Sequence, residues 1–299
     1  MSRTQARAAY LALGAVALWA SVAALGVELA RVPPFLLTGA ALLIGSLMAL
    51  PMSVRGGRLD VRLLRAPLPA LAVGVTGLFG YHFLLFMALR TAPPVEANLV
   101  NYVWPLLIVV LAPVVLPGVR MRVRHVGAAL AGFGGAALAI AGGGAGGAIA
   151  SGEGAWVGYL CALGGALVWA LYSLMTKRLS AVPTTALGSV LFVSGLLSLG
   201  CHALLEPPVA LSAQEIGLLV VMGIGPLGAA FFLWDAALKR GEAATIGLLS
   251  FITPVVSTTI LLLMRGEVPG LHVVGAAVVI VGAAVVGTRG LGRDREHPG

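Results

Sequence analysis

Apolar runs of roughly twenty residues, separated by short polar gaps, follow one another along the whole chain. Their breakers place ten spans at about 8–27, 34–53, 67–89, 94–116, 125–145, 155–175, 184–204, 214–238, 243–264 and 270–288. At about 1.5 Å rise per residue, a helix of this length crosses the ~30 Å hydrocarbon core of a bilayer. A segment in lipid must satisfy its backbone amides internally, so each run is predicted to be α-helical. The short gaps make successive helices antiparallel and hide no soluble domain.

Polar and aromatic interruptions of these runs fall in register. In the fourth span Asn98, Asn101, Tyr102 and Pro105 recur at i, i+3, i+4 and i+7, one face of a helix. An amide facing hydrocarbon loses its water partners at a cost of roughly 2 kcal/mol or more, so this face is predicted to meet protein or a wet cavity. Interhelical hydrogen bonding is the simpler alternative. In the ninth span Ser250, Thr253, Pro254 and Ser257 form a matching stripe, and in the sixth Trp169, Tyr172, Ser173 and Thr176 do the same. The third span carries Phe79, Tyr81, His82, Phe83 and Phe86, with His82 the one histidine well inside a span. An intramembrane ionisable group is a functional candidate, although a neutral core histidine explains it equally well. Pro105 and Pro254 each remove a donor and crowd the preceding turn, which predicts a kink and a freed carbonyl. Proline is also simply tolerated in membrane helices.

These features repeat. Trp19 aligns with Trp169 at a shift of 150, Phe83-Leu84 with Phe232-Leu233 and Pro105 with Pro254 at 149, and Val126-Gly127-Ala128-Ala129 with Val274-Gly275-Ala276-Ala277 at 148. One nearly constant shift along the chain indicates a duplication, with a first repeat over 1–146 and a second over 147–299. Five spans per repeat force the second copy to enter the membrane from the opposite face, so the repeats are predicted to be inverted. Charge tests this independently, because Lys and Arg accumulate in short cytoplasmic loops. Of the 19 Lys and Arg, Arg31, Arg90 and Arg265 fall on one face. The other sixteen, including Arg3, Arg7, Arg120, Arg122, Arg289, Arg293 and Arg295, share the face of both termini, which is therefore predicted to be cytoplasmic. Arg3 and Arg7 ahead of an apolar run imitate a secretory leader, but the run is of span length and its Trp19 has the counterpart Trp169.

Composition narrows the class. The 299 residues are 59% hydrophobic and 10% charged, with mean hydropathy +1.02, outside the range of a soluble domain. The net charge of +8 is dispersed among the gaps and marks topology, not nucleic-acid binding. Cys161 and Cys201 lie inside spans and form no disulfide or zinc spacing; no metal, cofactor or catalytic set is predicted. The fifth and tenth spans are rich in glycine, which suits close helix packing and a scaffold role. Glu28, Arg90, Glu96, Asp235, Lys239, Glu242 and Arg265 sit at or near span ends, leaving no mid-span charge to hold a phosphate. A pocket with aromatic walls, amides and hydroxyls suits a neutral or zwitterionic solute with an apolar part.

With ten spans, an inverted five-plus-five repeat and proline-bearing fourth spans, the chain resembles the ten-helix exporters of the drug/metabolite transporter superfamily. Tyr81-His82, Asn101-Tyr102-Val103-Trp104-Pro105 and Trp169 are similar to the bacterial aromatic amino acid exporter branch. The resemblance implies a monomer in the bacterial inner membrane, with alternating access through a central cavity lined by spans one, three, four, six, eight and nine. It also implies export of amino acids, aromatic ones especially. Trp19, Tyr81, His82, Asn98, Asn101, Tyr102, Trp104, Trp169, Tyr172 and Ser250 are then expected along the substrate path, with Pro105 and Pro254 shaping the gates. The absence of a mid-span carboxylate favours facilitated diffusion over proton exchange. A broad exporter of drugs, threonine, homoserine or purines is the alternative, and a membrane enzyme a remote one, since no His-Glu-x-x-His or Ser/His/Asp set is present.

Overall fold

The computed structural model describes residues 3–119, 123–142, 155–264, 266, 268 and 270–288. The predicted cytoplasmic Arg120, Arg122, Arg289, Arg293 and Arg295, the opposite-face Arg265, the tail His297 and the repeat boundary at 146/147 lie outside the described residues. Nine described helices are long and apolar enough to cross a membrane: Arg3–Glu28, Pro34–Met52, Leu68–Thr91, Pro94–Val115, Val123–Ile140, Ala155–Arg178, Thr184–Leu205, Ala213–Arg240 and Ala243–Met264. Leu271–Thr288 is the tenth helix, with a shorter apolar stretch over Val273–Val286. Proline sets several starts, as at Pro34 and Pro94, where its missing N–H is one the helix could not use. Ser212 and Glu215 cap the eighth span reciprocally.

The sixth span shows why these helices pack as they do. Gly158, Ala162, Gly165, Ala166, Trp169, Tyr172, Ser173 and Thr176 are buried along one side, while Leu160, Leu163, Leu167 and Leu171 are exposed on the other. The small residues admit neighbouring backbones and the leucines suit lipid. This helix packs against the third and fourth spans; the first packs against the eighth and ninth, and the fourth against the ninth. Outside this centre the second span pairs with the seventh, and the fifth with the tenth. At the latter contact a Cβ on Gly135 would lie 2.7 Å from Ile280 Cγ1, so glycine there sets the helix separation. The close packing expected of these two spans is seen at this contact.

Several spans are interrupted, and in four of them the interruptions correspond. The third contains a π-helical turn at Thr76–Gly80 and the eighth one at Gly225–Ala229, 149 residues later. The fourth breaks at Tyr102–Val103, between Pro94–Asn101 and Trp104–Val115, and the ninth at Phe251, between Ala243–Ser250 and Ile252–Met264. Pro105 and Pro254 occupy the first turn of the second half-helix in each case. The break falls upstream of each ring because proline crowds the carbonyl four residues back, here those of Asn101 and Ser250. The π turns were not predicted: Thr76–Gly80 contains no proline.

The N-terminal face holds the eighth-to-ninth turn, where a Cβ on Gly241 would lie 2.8 Å from Ala8 Cβ. It also holds the short hairpin Val54–Arg55/Arg58–Leu59. On the opposite face Arg31 pairs with Glu215 at 3.0 Å and Arg90 with Glu206 at 3.2 Å, tying the first loop and the third span to the seventh-to-eighth connection.

Candidate functional site

The buried stripe of the sixth span aims Trp169 at the centre of the bundle, where the indole is 3% exposed. Five rings surround it: Tyr81 at 5.2 Å between centroids, Tyr172 at 5.3 Å, Trp19 at 5.7 Å, Phe231 at 5.9 Å and Trp104 at 6.2 Å. Trp234 closes the circle at 5.1 Å from Trp19 and 5.7 Å from Trp104. Most of these pairs are edge-on or tilted, the arrangements the ring quadrupole favours. Residues of spans one, three, four, six and eight thus converge; the ninth supplies no ring. The rings meet one another and fill the centre.

Most members sit beside a helix interruption. Tyr81 and His82 follow the π turn of the third span, Phe231 follows that of the eighth, and Trp104 follows the break of the fourth. Trp19 precedes the turn at Ser21, where the first helix is interrupted. Irregular backbone within a spanning segment is tolerated only where protein or a wet cavity surrounds it. The wide turns also supply acceptors. Trp19 Nε1 donates to Pro226 O at 3.1 Å, inside the eighth-span π turn, and His82 Nδ1 donates to Leu78 O at 2.7 Å, inside that of the third. That bond fixes the proton on Nδ1 in the neutral ring.

Phe231 and Trp234 were missed in the sequence. The signal for Phe231 was present, since a shift of 149 places it under His82, and the two rings touch at 6.3 Å. Trp234 falls under Leu85 and had no such pointer. Its Nε1 donates to Ser173 Oγ at 3.2 Å, so the hydroxyl of the sixth-span stripe anchors an indole of the eighth span.

One edge of the cluster is polar. Asn101 Nδ2 donates to the Tyr81 hydroxyl at 3.1 Å, while Asn101 Oδ1 is buried without a partner. An unpaired buried acceptor costs of the order of 1–3 kcal/mol, which a ligand donor would recover. The Tyr81 hydroxyl, accepting from the amide, retains its own proton to donate. Asn98 is half-buried one turn away. Tyr102 turns to a different cluster with Val109, Leu248 and Phe251, and the Ser250 hydroxyl donates to Gly247 O at 2.6 Å on its own helix.

Tyr172 depends on a close approach by the third span. A side chain at Gly77, in the π turn, would run into the Tyr172 ring. Gly77→Ala should displace Tyr172 from Trp169 and cost about 1–3 kcal/mol by overpacking, read as a lower melting temperature in detergent. Gly134→Ala, with open space at its Cβ, should leave it unchanged; equal melting temperatures for both variants would refute the contact.

The sequence profile of the EamA-like transporter family matches residues 6–141 and again 156–288. The aromatic amino acid exporter YddG of Ancylobacter novellus is 39% identical over 292 residues, 96% of this chain and 98% of its own length. The probable terminal-alkyne amino-acid exporter of Streptantibioticus cattleyicolor is 32% identical, with 82% of each chain covered. A crystal structure 37% identical in sequence superposes with a TM-score of 0.86, covering 94% of this chain and 97% of its own. A multi-pass helical fold, a buried aromatic centre and both profile matches lead to one assignment: this chain belongs to the EamA-like transporter family.

Proposed function

We propose that this protein exports amino acids, aromatic and other neutral ones, across the bacterial inner membrane. The observation that carries this reading is the ring of aromatic side chains around Trp169, edged by the unpartnered Asn101 Oδ1 and the Tyr81 hydroxyl. Aromatic side chains of a substrate would stack among the rings, its ammonium would donate to Asn101 Oδ1 or lie over an indole face, and its carboxylate would accept from Tyr81. The relatives named as amino-acid exporters favour the same solute.

Transport proceeds by alternating access, with the four spans whose interruptions correspond as hinges. The rings separate in the transporting states to admit the substrate. The correspondence of the breaks at 149 residues and the double profile match support two inverted repeats. The protein works as a monomer with both termini in the cytoplasm, by facilitated diffusion, since the carboxylate beside the ring cluster, Asp235, is held in an ion pair with Lys239.

Counterflow of labelled phenylalanine into proteoliposomes without ion gradients tests this reading. Uptake is expected in the parent, and Asn101→Ala or Tyr81→Phe should raise the half-saturation concentration about tenfold, the equivalent of one hydrogen bond to a charged group. Phenylalanine competing no better than threonine or adenine would replace the assignment with a broad exporter, and uptake that required an imposed proton gradient would remove facilitated diffusion.

A further inference from the structure

A second constellation lies between the aromatic centre and the N-terminal face. A cavity of about 40 Å³ opens among the third, sixth, seventh and eighth spans, with Tyr172 and Thr176 on one wall, Gly74 and Val190 on others, and Asp235 and Lys239 beside them. Asp235 and Lys239 form an ion pair at 2.8 Å, with side chains only 7% and 11% exposed. The same two side chains hold the sixth-to-seventh connection. Thr184 Oγ1 donates to Asp235 Oδ2 at 2.5 Å, and Lys239 Nζ donates to Val182 O at 2.7 Å. Lys177 Nζ, bonded to Leu238 O and Gly241 O, is the neighbouring cation.

Burying two charges where an apolar pair would pack is costly in itself and is weak evidence for a purely stabilising role. The pair sits on a cavity wall, and Tyr172 on that wall touches Trp169. We propose that Asp235 and Lys239 form an entry subsite for the head group of an α-amino acid, with the substrate carboxylate on Lys239 Nζ, its ammonium on Asp235 and its side chain directed past Tyr172 to the rings. This rests on the amino-acid reading above and adds to it a second site. The exchange conserves charge: one intramolecular ion pair is replaced by two with the zwitterion, both in a poorly solvated place where pairing is strong. A cavity of this volume holds water but not an amino acid. Occupancy therefore requires the connection at Val182 and Thr184 to lift, and the zwitterion competes for the groups that hold it down. An amine or a carboxylic acid alone would satisfy one charge and leave the other buried and unpaired, which gives the subsite its selectivity.

The experiment is phenylalanine counterflow in proteoliposomes, competed by phenylalanine, by phenethylamine, which lacks the carboxylate, and by 3-phenylpropionate, which lacks the ammonium. The parent should prefer phenylalanine over both analogues. In the neutral double variant Asp235→Asn/Lys239→Gln that preference should fall at least fivefold, with the preference for aromatic over small neutral amino acids retained. Thr184→Val keeps both charges but removes one bond of the closed form, so its half-saturation concentration for phenylalanine should fall a few-fold. Unchanged preference in the double variant overturns the subsite and leaves the pair a structural clasp. If the double variant does not fold, Thr184→Val decides alone, and a half-saturation concentration equal to the parent's overturns it. A folded parent that does not transport phenylalanine at all overturns the amino-acid reading and the subsite with it, an outcome distinct from transport with unaltered selectivity.

Discussion

Trp169→Ala is expected to abolish counterflow of aromatic amino acids and to lower the melting temperature by several degrees. Trp169 is the one ring in contact with rings from the first, third, fourth and eighth spans, besides Tyr172 on its own helix. Truncating a buried aromatic to alanine costs about 3–5 kcal/mol through lost contacts and the remaining cavity. Here the same cavity would release Tyr81, Trp19 and Trp104 from their mutual orientation. Trp169→Phe keeps a ring and most of the apolar area, so it should recover stability before it recovers transport; a smaller ring reaches fewer of the five partners at once. The two readouts separate packing from recognition. Purified Trp169→Ala that counterflows phenylalanine at the parent's rate would show that the cluster is core and that the substrate passes elsewhere.

Such a cluster was only partly visible in the sequence, for identifiable physical reasons. Hydropathy locates spanning helices because lipid imposes both a length and an internal hydrogen-bond rule, and the spans were read to within a few residues. Trp19, Trp169 and Tyr172 were recognisable from a patterned face or a matched register, whereas Tyr81, His82 and Trp104 came from the aromatic content of the third span, the histidine inside that span and the family resemblance. Phe231 and Trp234 were lost in an apolar run, where an aromatic facing the centre looks the same as one facing outwards: Trp156 and Phe192 are 65% and 50% exposed. Tyr102 and Ser250 were assigned to the path by a 3.6-residue period that presumes an unbroken helix. The fourth span breaks at Tyr102 itself, so the stripe that starts at Asn98 does not continue past Asn101 in one direction. Ser250 ends its half-helix and turns its hydroxyl back to Gly247 O. The π turns escaped because a residue's preference for one wide turn leaves no period to detect.

The other large effect expected is at a residue that reads in the sequence as an ordinary loop charge. Glu206 follows the seventh span, yet its side chain is fully buried. Its Oε1 accepts from Phe35 N at 3.0 Å and Arg90 Nη2 at 3.2 Å, and its Oε2 from Leu36 N at 3.3 Å and His202 Nδ1 at 3.0 Å. One carboxylate thus caps two amides that have no partner within the helix at the start of the second span, where the helix dipole favours a negative charge, and holds the third span to the seventh through Arg90. Glu206→Gln retains one acceptor oxygen but turns an NH₂ group towards donors and removes the charge. The expected loss is about 2–4 kcal/mol, from one orphaned amide facing the new NH₂ group and a broken, partly buried pair. Arg90→Met should cost less, because the guanidinium side chain is 40% exposed and solvent screens its attraction. The order distinguishes a capping role from an ion-pair role: thermal denaturation in detergent with Glu206→Gln well below Arg90→Met places the stability in the helix cap, whereas equal losses would place it in the Arg90–Glu206 pair. Capping implies a further consequence, that Arg90→Met transports phenylalanine normally while Glu206→Gln loses activity in step with its folded fraction.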